Sequence, residues 1–310
     1  MTGDARGAEL CDAARALSPA VALLLMLASA AIHAAWNTAL RRHPDAPAGG
    51  LLFLLSGAAF TGLLAIVDAG FVERAHQLRL SLVWGLAAGA SEGFYLMALS
   101  RALSIGPLAA VYAVSRGAPL LILWPLSHFL LGEPITATAV LAVAVLLAGV
   151  GVLLPSRAGG HTTTRVGYVW AVITAAFNCT NSLVYKAALN DGAAVLPLFA
   201  VGLVVAFPIA ASVLAPWGRG FIHAASLRLR AAFHVQPRAV GLGGIGFAAS
   251  FLLALFTMRW QGAAWVLTMR NVSIAFAPLV AWIFLHEHPS RRAIAGVVLV
   301  FAGAFILRLA

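Results

Sequence analysis

The sequence predicts an all-α integral membrane protein, with ten transmembrane helices in two inverted five-helix repeats. Three observations carry that expectation. Of 310 residues, 62% are apolar and 10% charged, with a mean hydropathy of +0.96, which excludes a soluble globular domain. Nearly the whole chain divides into weakly charged apolar stretches of about 15 to 27 residues, where about 20 span the hydrocarbon. The chain also repeats itself. Leu131-Gly132-Glu133-Pro134, with Ala148-Gly149 further on, returns as Leu285-His286-Glu287-His288-Pro289 with Ala302-Gly303, and Arg116 and Arg270 each stand seventeen residues before the glutamate.

Residues 1–18 mix both charge signs with alanine and read as a mobile tail. Ten spans follow, at 19–40, 48–68, 81–102, 106–131, 135–154, 166–188, 192–215, 239–258, 261–285 and 292–307. The runs are continuous rather than alternating, and backbone in lipid must pair internally, so they are helices and not barrel strands. Charged residues precede the first span as in a signal peptide, but it exceeds an h-region and has a counterpart later, so it is expected to be retained. Residues 19–155 form the first repeat and 166–308 the second. At an offset of 145 residues, His33 matches Asn178, Asn37 matches Ser182 and Arg41 matches Lys186. Five spans per half invert the second half about an axis in the membrane plane, and substrate sites in such folds lie at the repeat interface.

A net charge of +10 would suggest nucleic acid in a soluble protein; here the basic residues occupy short loops, which is positive-inside topology instead. Alternate loops carry 7 Lys and Arg on the side of the termini and 11 on the other, four of the latter (Arg219, Arg228, Arg230, Arg238) from one loop. The bias places both termini outside the cytoplasm. The 221–238 loop interleaves Phe221, Ile222, Leu227, Leu229 and Phe233 with arginine, as an amphipathic helix on anionic lipid or an ordinary basic connector would. Cys11 and Cys179 support neither a disulfide framework nor a zinc site, and His286-Glu287-His288 fits no zinc spacing. No nucleotide-binding loop, nucleophile elbow or Cys/His cluster is present, so no enzyme chemistry, cofactor or metal is expected and any transport would run on gradients.

Chemistry is sought where polarity is costly. A charge at a helix centre costs at least about 2.5 to 3.5 kcal/mol, so Arg116, Arg270 and Glu92 need partners or water. Each arginine lies about 13 Å inside its span, too deep to snorkel. Glu92 can neutralise only one arginine, which leaves the other to grip a carboxylate or phosphate bidentately; the alternative is that both serve packing. As the one carboxylate deep in a span, Glu92 is the candidate proton-coupling site, against a permanent ion pair with Arg116. Gly85, Gly89 and Gly93 beside it form a groove for close helix packing. His33 reads as a proton or substrate contact or as a packing residue. Trp36, Asn37, Asn178, Asn181, Asn271 and Tyr95 are candidate substrate contacts, the amides equally able to join helices. Pro119, Pro125 and Pro278 are expected to kink the arginine-bearing helices just beyond the charge, and Glu133 and Glu287 to favour the positive end of the following helix.

The pattern His33-Ala-Ala-Trp36-Asn37, the stretch from Ala98-Leu99 to Arg116-Gly-Ala-Pro119, the Gly132-Glu133-Pro134 turn, and Met269-Arg270-Asn271-Val272-Ser273 with Glu287 resemble the drug/metabolite transporter superfamily, EamA type, over roughly residues 20 to 308. That resemblance implies a proton-coupled or facilitative carrier that exports or exchanges small metabolites by alternating access through a central cavity. The expected partners are a small-molecule substrate with an acidic group, protons and the lipid bilayer, in a bacterial inner membrane, with a monomer sufficient because one chain holds both repeats. An intramembrane lipid-headgroup flippase and a transport-inactive subunit are the alternatives.

Overall fold

A computed structural model describes residues 18–68, 75–105, 111, 113–153, 165–214, 218, 220–276 and 290–309. The described residues are helical throughout their regular elements. In chain order these are α1 (Pro19–Arg41), α2 (Ala46–Val67), α3 (Ala75–Ile105), a π-helical turn (Ala113–Gly117) running into α4 (Ala118–Leu131), α5 (Ala137–Leu153), α6 (Arg165–Asn190), α7 (Val195–Ala211), α8 (Phe221–Val235), α9 (Pro237–Met258), α10 (Ala263–Arg270) and α11 (Arg291–Leu307). Local chemistry sets the starts. Ser18 Oγ accepts the Val21 N–H at 3.3 Å, with Pro19 opening α1, and Asp45 accepts the Ala48 N–H at 3.1 Å to open α2. Gly132, at φ 69°, ends α4.

Among the described residues, five helices are long and apolar enough to cross a membrane: α1, α2, α3, the π turn with α4, and α9. Helices α5 and α7 are shorter apolar ones. Helix α6 is long enough, but Asn178, Thr180, Asn181, Ser182 and Lys186 lower its hydropathy. Large apolar side chains such as Ile66, Phe129 and Leu242 stand outward, 73–80% exposed, a surface suited to lipid rather than water.

Packing pairs the two halves. Helix α3 packs on α6 and α7, as α9 packs on α1 and α2; α4 meets α6 as α10 meets α1; α2 lies on α7 and α5 on α11. Exchanging first-half helices for second-half ones maps this set onto itself. The closest contacts do the same: a Cβ on Gly149 would fall 2.7 Å from the Val300 nitrogen, and one on Gly303 2.8 Å from that of Leu146, and 146 and 300 are equivalent positions at the 154-residue offset that relates the arginines. The groove of Gly85, Gly89 and Gly93 is filled by α7, with Gly89 against the Gly202 carbonyl, so these glycines serve close packing.

Two expectations change, and one open alternative, the form of the 221–238 segment, is decided. Both arginine-bearing segments are irregular at the arginine itself: Arg116 lies within the π turn, just before Pro119 rather than beyond it, and α10 ends at Arg270 with Asn271 as its C-cap. The 221–238 connection is a regular helix, α8. Glu133 does not serve the start of the next helix, where Thr136 Oγ1 accepts the Ala139 N–H at 3.0 Å; its own partner is described below. Cys11, Pro278 and the His286-Glu287-His288 turn lie outside the described residues.

Candidate functional site: a central cavity

A cavity of about 600 Å³ lies between the halves, lined from α1, α2, α3, α6, α7 and α9, the Arg116 turn and the end of α10. His33, Trp36, Asn37, Glu92, Tyr95, Arg116, Asn178, Asn181 and Arg270 all line it. Asn271 does not. It is 2% exposed, and its Nδ2 donates to the Leu267 carbonyl at 3.0 Å, because one residue past Arg270 the chain has turned away from the cavity.

The two arginines reach the cavity because both segments lose α-helical regularity there. A π turn widens the helix, and the end of α10 frees its last turn. The Arg270 guanidinium stacks over Phe251, 3.8 Å from the ring centre, and lies within electrostatic reach of Arg116, Glu92, Tyr95 and Tyr185. Glu92 is 1% exposed and accepts a hydrogen bond from Asn181 Nδ2 on its Oε2, while Oε1 has no partner. The salt bridge among the described residues is elsewhere, between Arg228 and Asp45, so the alternative reading of Glu92, a permanent ion pair with Arg116, is not met. Two guanidinium groups and one carboxylate leave the cavity with an excess positive charge.

The equivalent contact in the other half has different chemistry. Trp36 stands where Asn181 does, at the 145-residue offset, and its Nε1 donates to Ser250 Oγ at 3.2 Å on α9. His33 meets Trp36 edge-on at 4.8 Å, and neither of its ring nitrogens has a partner. Asn37 Nδ2 bonds the His33 carbonyl at 2.8 Å. One wall is therefore polar (Glu92, Tyr95, Asn178, Asn181) and the facing one aromatic (Trp36, Phe247, Phe251). Sequence reasoning missed Tyr185, Phe247 and Phe251. Tyr185 carried a signal, since it follows Asn181 by four residues and so shares its helix face; the phenylalanines carried none in a phenylalanine-rich chain.

The cavity is shaped along the membrane normal. It extends to Ala46, Pro47, Ser104 and Val213, at the helix ends on the α8 side, and at the other end its lining includes Tyr185 and Met258. Beyond Met258 the structure is pinned. Lys186 Nζ, 9% exposed, donates to the Met258 carbonyl at 2.9 Å, closing the C-terminal end of α9. Glu133 accepts the Ala263 N–H at 2.7 Å, at the start of α10. A Cβ on Gly262 would fall 2.6 Å from the Glu133 carboxylate, so the glycine is what lets the acid approach. Lys186 lies within electrostatic reach of Glu133, so one charged cluster ties α4, α6, α9 and α10 together on that side.

The chain is similar in fold to a solved crystal structure of a protein, at 22% identity and a TM-score of 0.64, covering 93% of this chain and 96% of that one. No curated protein matches it. Residues 165–309 match the EamA-like transporter family, and that match places this second half of the chain in the drug/metabolite transporter superfamily.

Proposed function

We propose that this chain is a secondary carrier that moves a small metabolite bearing a carboxylate or phosphate across the membrane by alternating access, with Glu92 as the proton-coupling site. EamA family members are transporters rather than enzymes; the substrate class, coupling and direction are our reading. It rests above all on one observation: Arg116 and Arg270, from sequence positions equivalent at the 154-residue offset, line a single cavity whose lining includes one carboxylate, Glu92. A guanidinium left without a carboxylate partner in a low-dielectric cavity favours an anion in bidentate contact. The ten-span inverted architecture is part of the same reading, supported by packing that maps onto itself when the halves are exchanged.

Access follows from the same geometry. The cavity reaches the helix ends on the α8 side, and Lys186 and Glu133 pin the other. The α8 side carries 11 loop Lys and Arg against 7, so it is the cytoplasmic face by the positive-inside rule. This is the state that loads cargo for export from a bacterial inner membrane.

The test is flux in proteoliposomes, with amino acids, organic acids and phosphorylated metabolites offered with and without a pH gradient. Arg270→Gln should reduce flux of the transported anion at least tenfold, one missing charge-assisted contact being worth about 1.5 to 3 kcal/mol, while the protein stays folded and inserted. Wild-type flux in that variant would return Arg270 to packing. Failure of every anion to move would overturn the substrate class.

A further inference from the structure

We propose that the outward face of α8 docks on anionic phospholipid of the leaflet in which it lies, with its basic side chains at the phosphates and its apolar edge among the acyl chains. The two repeats do not need this helix: α7 and α9 pair with α3, α2 and α1 without it. It is nonetheless fixed at one depth. A single residue, Gln236, separates it from α9, a membrane-crossing helix. Arg228 anchors it through Nε to Asp45 Oδ2 at 2.5 Å, Nη2 to Asp45 Oδ1 at 2.9 Å and Nη1 to the Leu214 carbonyl at 2.7 Å. The Ala232 carbonyl lies 3.1 Å from His43 Nε2, and Ala225 and Ala232 face inward. Helix α8 therefore lies at the end of the spans, where headgroups are.

Its other faces are the wrong ones for water alone. Ile222 is 80% exposed and Phe233 44%; eleven residues apart, they share one edge of the helix. Arg230 and His223, seven apart, point outward beside that edge, with Arg238 exposed just beyond the helix. No acidic residue occurs between Asp191 and Glu287, and the acid beside α8, Asp45, is taken by Arg228. Countercharge for this face must come from outside the segment. A soluble polyanion would supply it but leave Ile222 and Phe233 in water, whereas a phosphodiester with acyl chains below it satisfies both.

The full chain is reconstituted in phosphatidylcholine vesicles and in vesicles of phosphatidylcholine mixed with anionic phosphatidylglycerol, and thermal unfolding is followed in each. Binding to the folded state raises Tm, so the anionic vesicles should raise it by several degrees, and salt near 1 M, with its Debye length of about 3 Å, should collapse the gain. The Arg230→Gln/Arg238→Gln variant should lose most of the gain. Because each protein is compared with itself in two lipids, a general loss of stability cancels. An equal gain in the variant, or none in the wild type, overturns the proposal.

Discussion

Glu92 has one carboxylate oxygen held by Asn181 and the other without a partner. In the proposed cycle this acid takes up and gives up a proton with no ion pair to break first. Glu92→Gln should lose proton-driven uptake and keep substrate exchange, read as flux against pH gradient and against trans substrate. An unchanged pH dependence would remove the coupling role. At this scale the costly charges were legible: Arg116, Arg270 and Glu92 stood out because lipid penalises them, and all three line one cavity. Asn271 was misread by adjacency to Arg270, since neighbours on a helix point about 100° apart. Phe247 and Phe251 were illegible because an aromatic ring in an apolar span carries no penalty to mark it.

The anchoring of α8 is an interaction between elements with a stated pH dependence. The Arg228 guanidinium hydrogen-bonds Asp45 and holds its carboxyl below its ordinary value of 3.8, with the Ala48 N–H adding to the effect. A lowered folded-state value means that the stability is present above the ordinary value and lost as pH falls below it through the lowered one. Acidification across that window should lower Tm less in Asp45→Asn than in the wild type; equal falls would show that the pair does not hold the helix. Elements were legible from hydropathy run length, including the ends of α1, α5 and α9. The break points were not. Pro119 and Pro125 advertised kinks, but Pro119 opens α4 and Pro125 lies inside it, while the irregularity sits where the arginine must face the cavity.

Across the whole molecule, a pseudo-symmetric frame encloses an asymmetric interior. The interfaces repeat, with Gly149 and Gly303 in reciprocal contact across α5 and α11, while the cavity walls differ, polar toward α3 and α6 and aromatic toward α1 and α9. Paired glycines and paired arginines are what carry the expectation of a duplication, because close packing and buried charge each restrict residue type. The pinned side was half readable: the match of Lys186 with Arg41 and the recurrence of Glu133 were visible, but their partners, the Met258 carbonyl and the Ala263 N–H, are backbone groups that no residue letter reveals.

The central claim is that both guanidinium groups stand in one hydrated cavity reached from the α8 side. Cysteines placed singly at 116 and 270, in a Cys11→Ser background and in sealed vesicles of known orientation, are exposed to a membrane-impermeant thiol reagent from either face. Modification at both positions, much faster from the α8 side, is the predicted result. Inert thiols at either position, or reaction at the two from opposite faces, would contradict it.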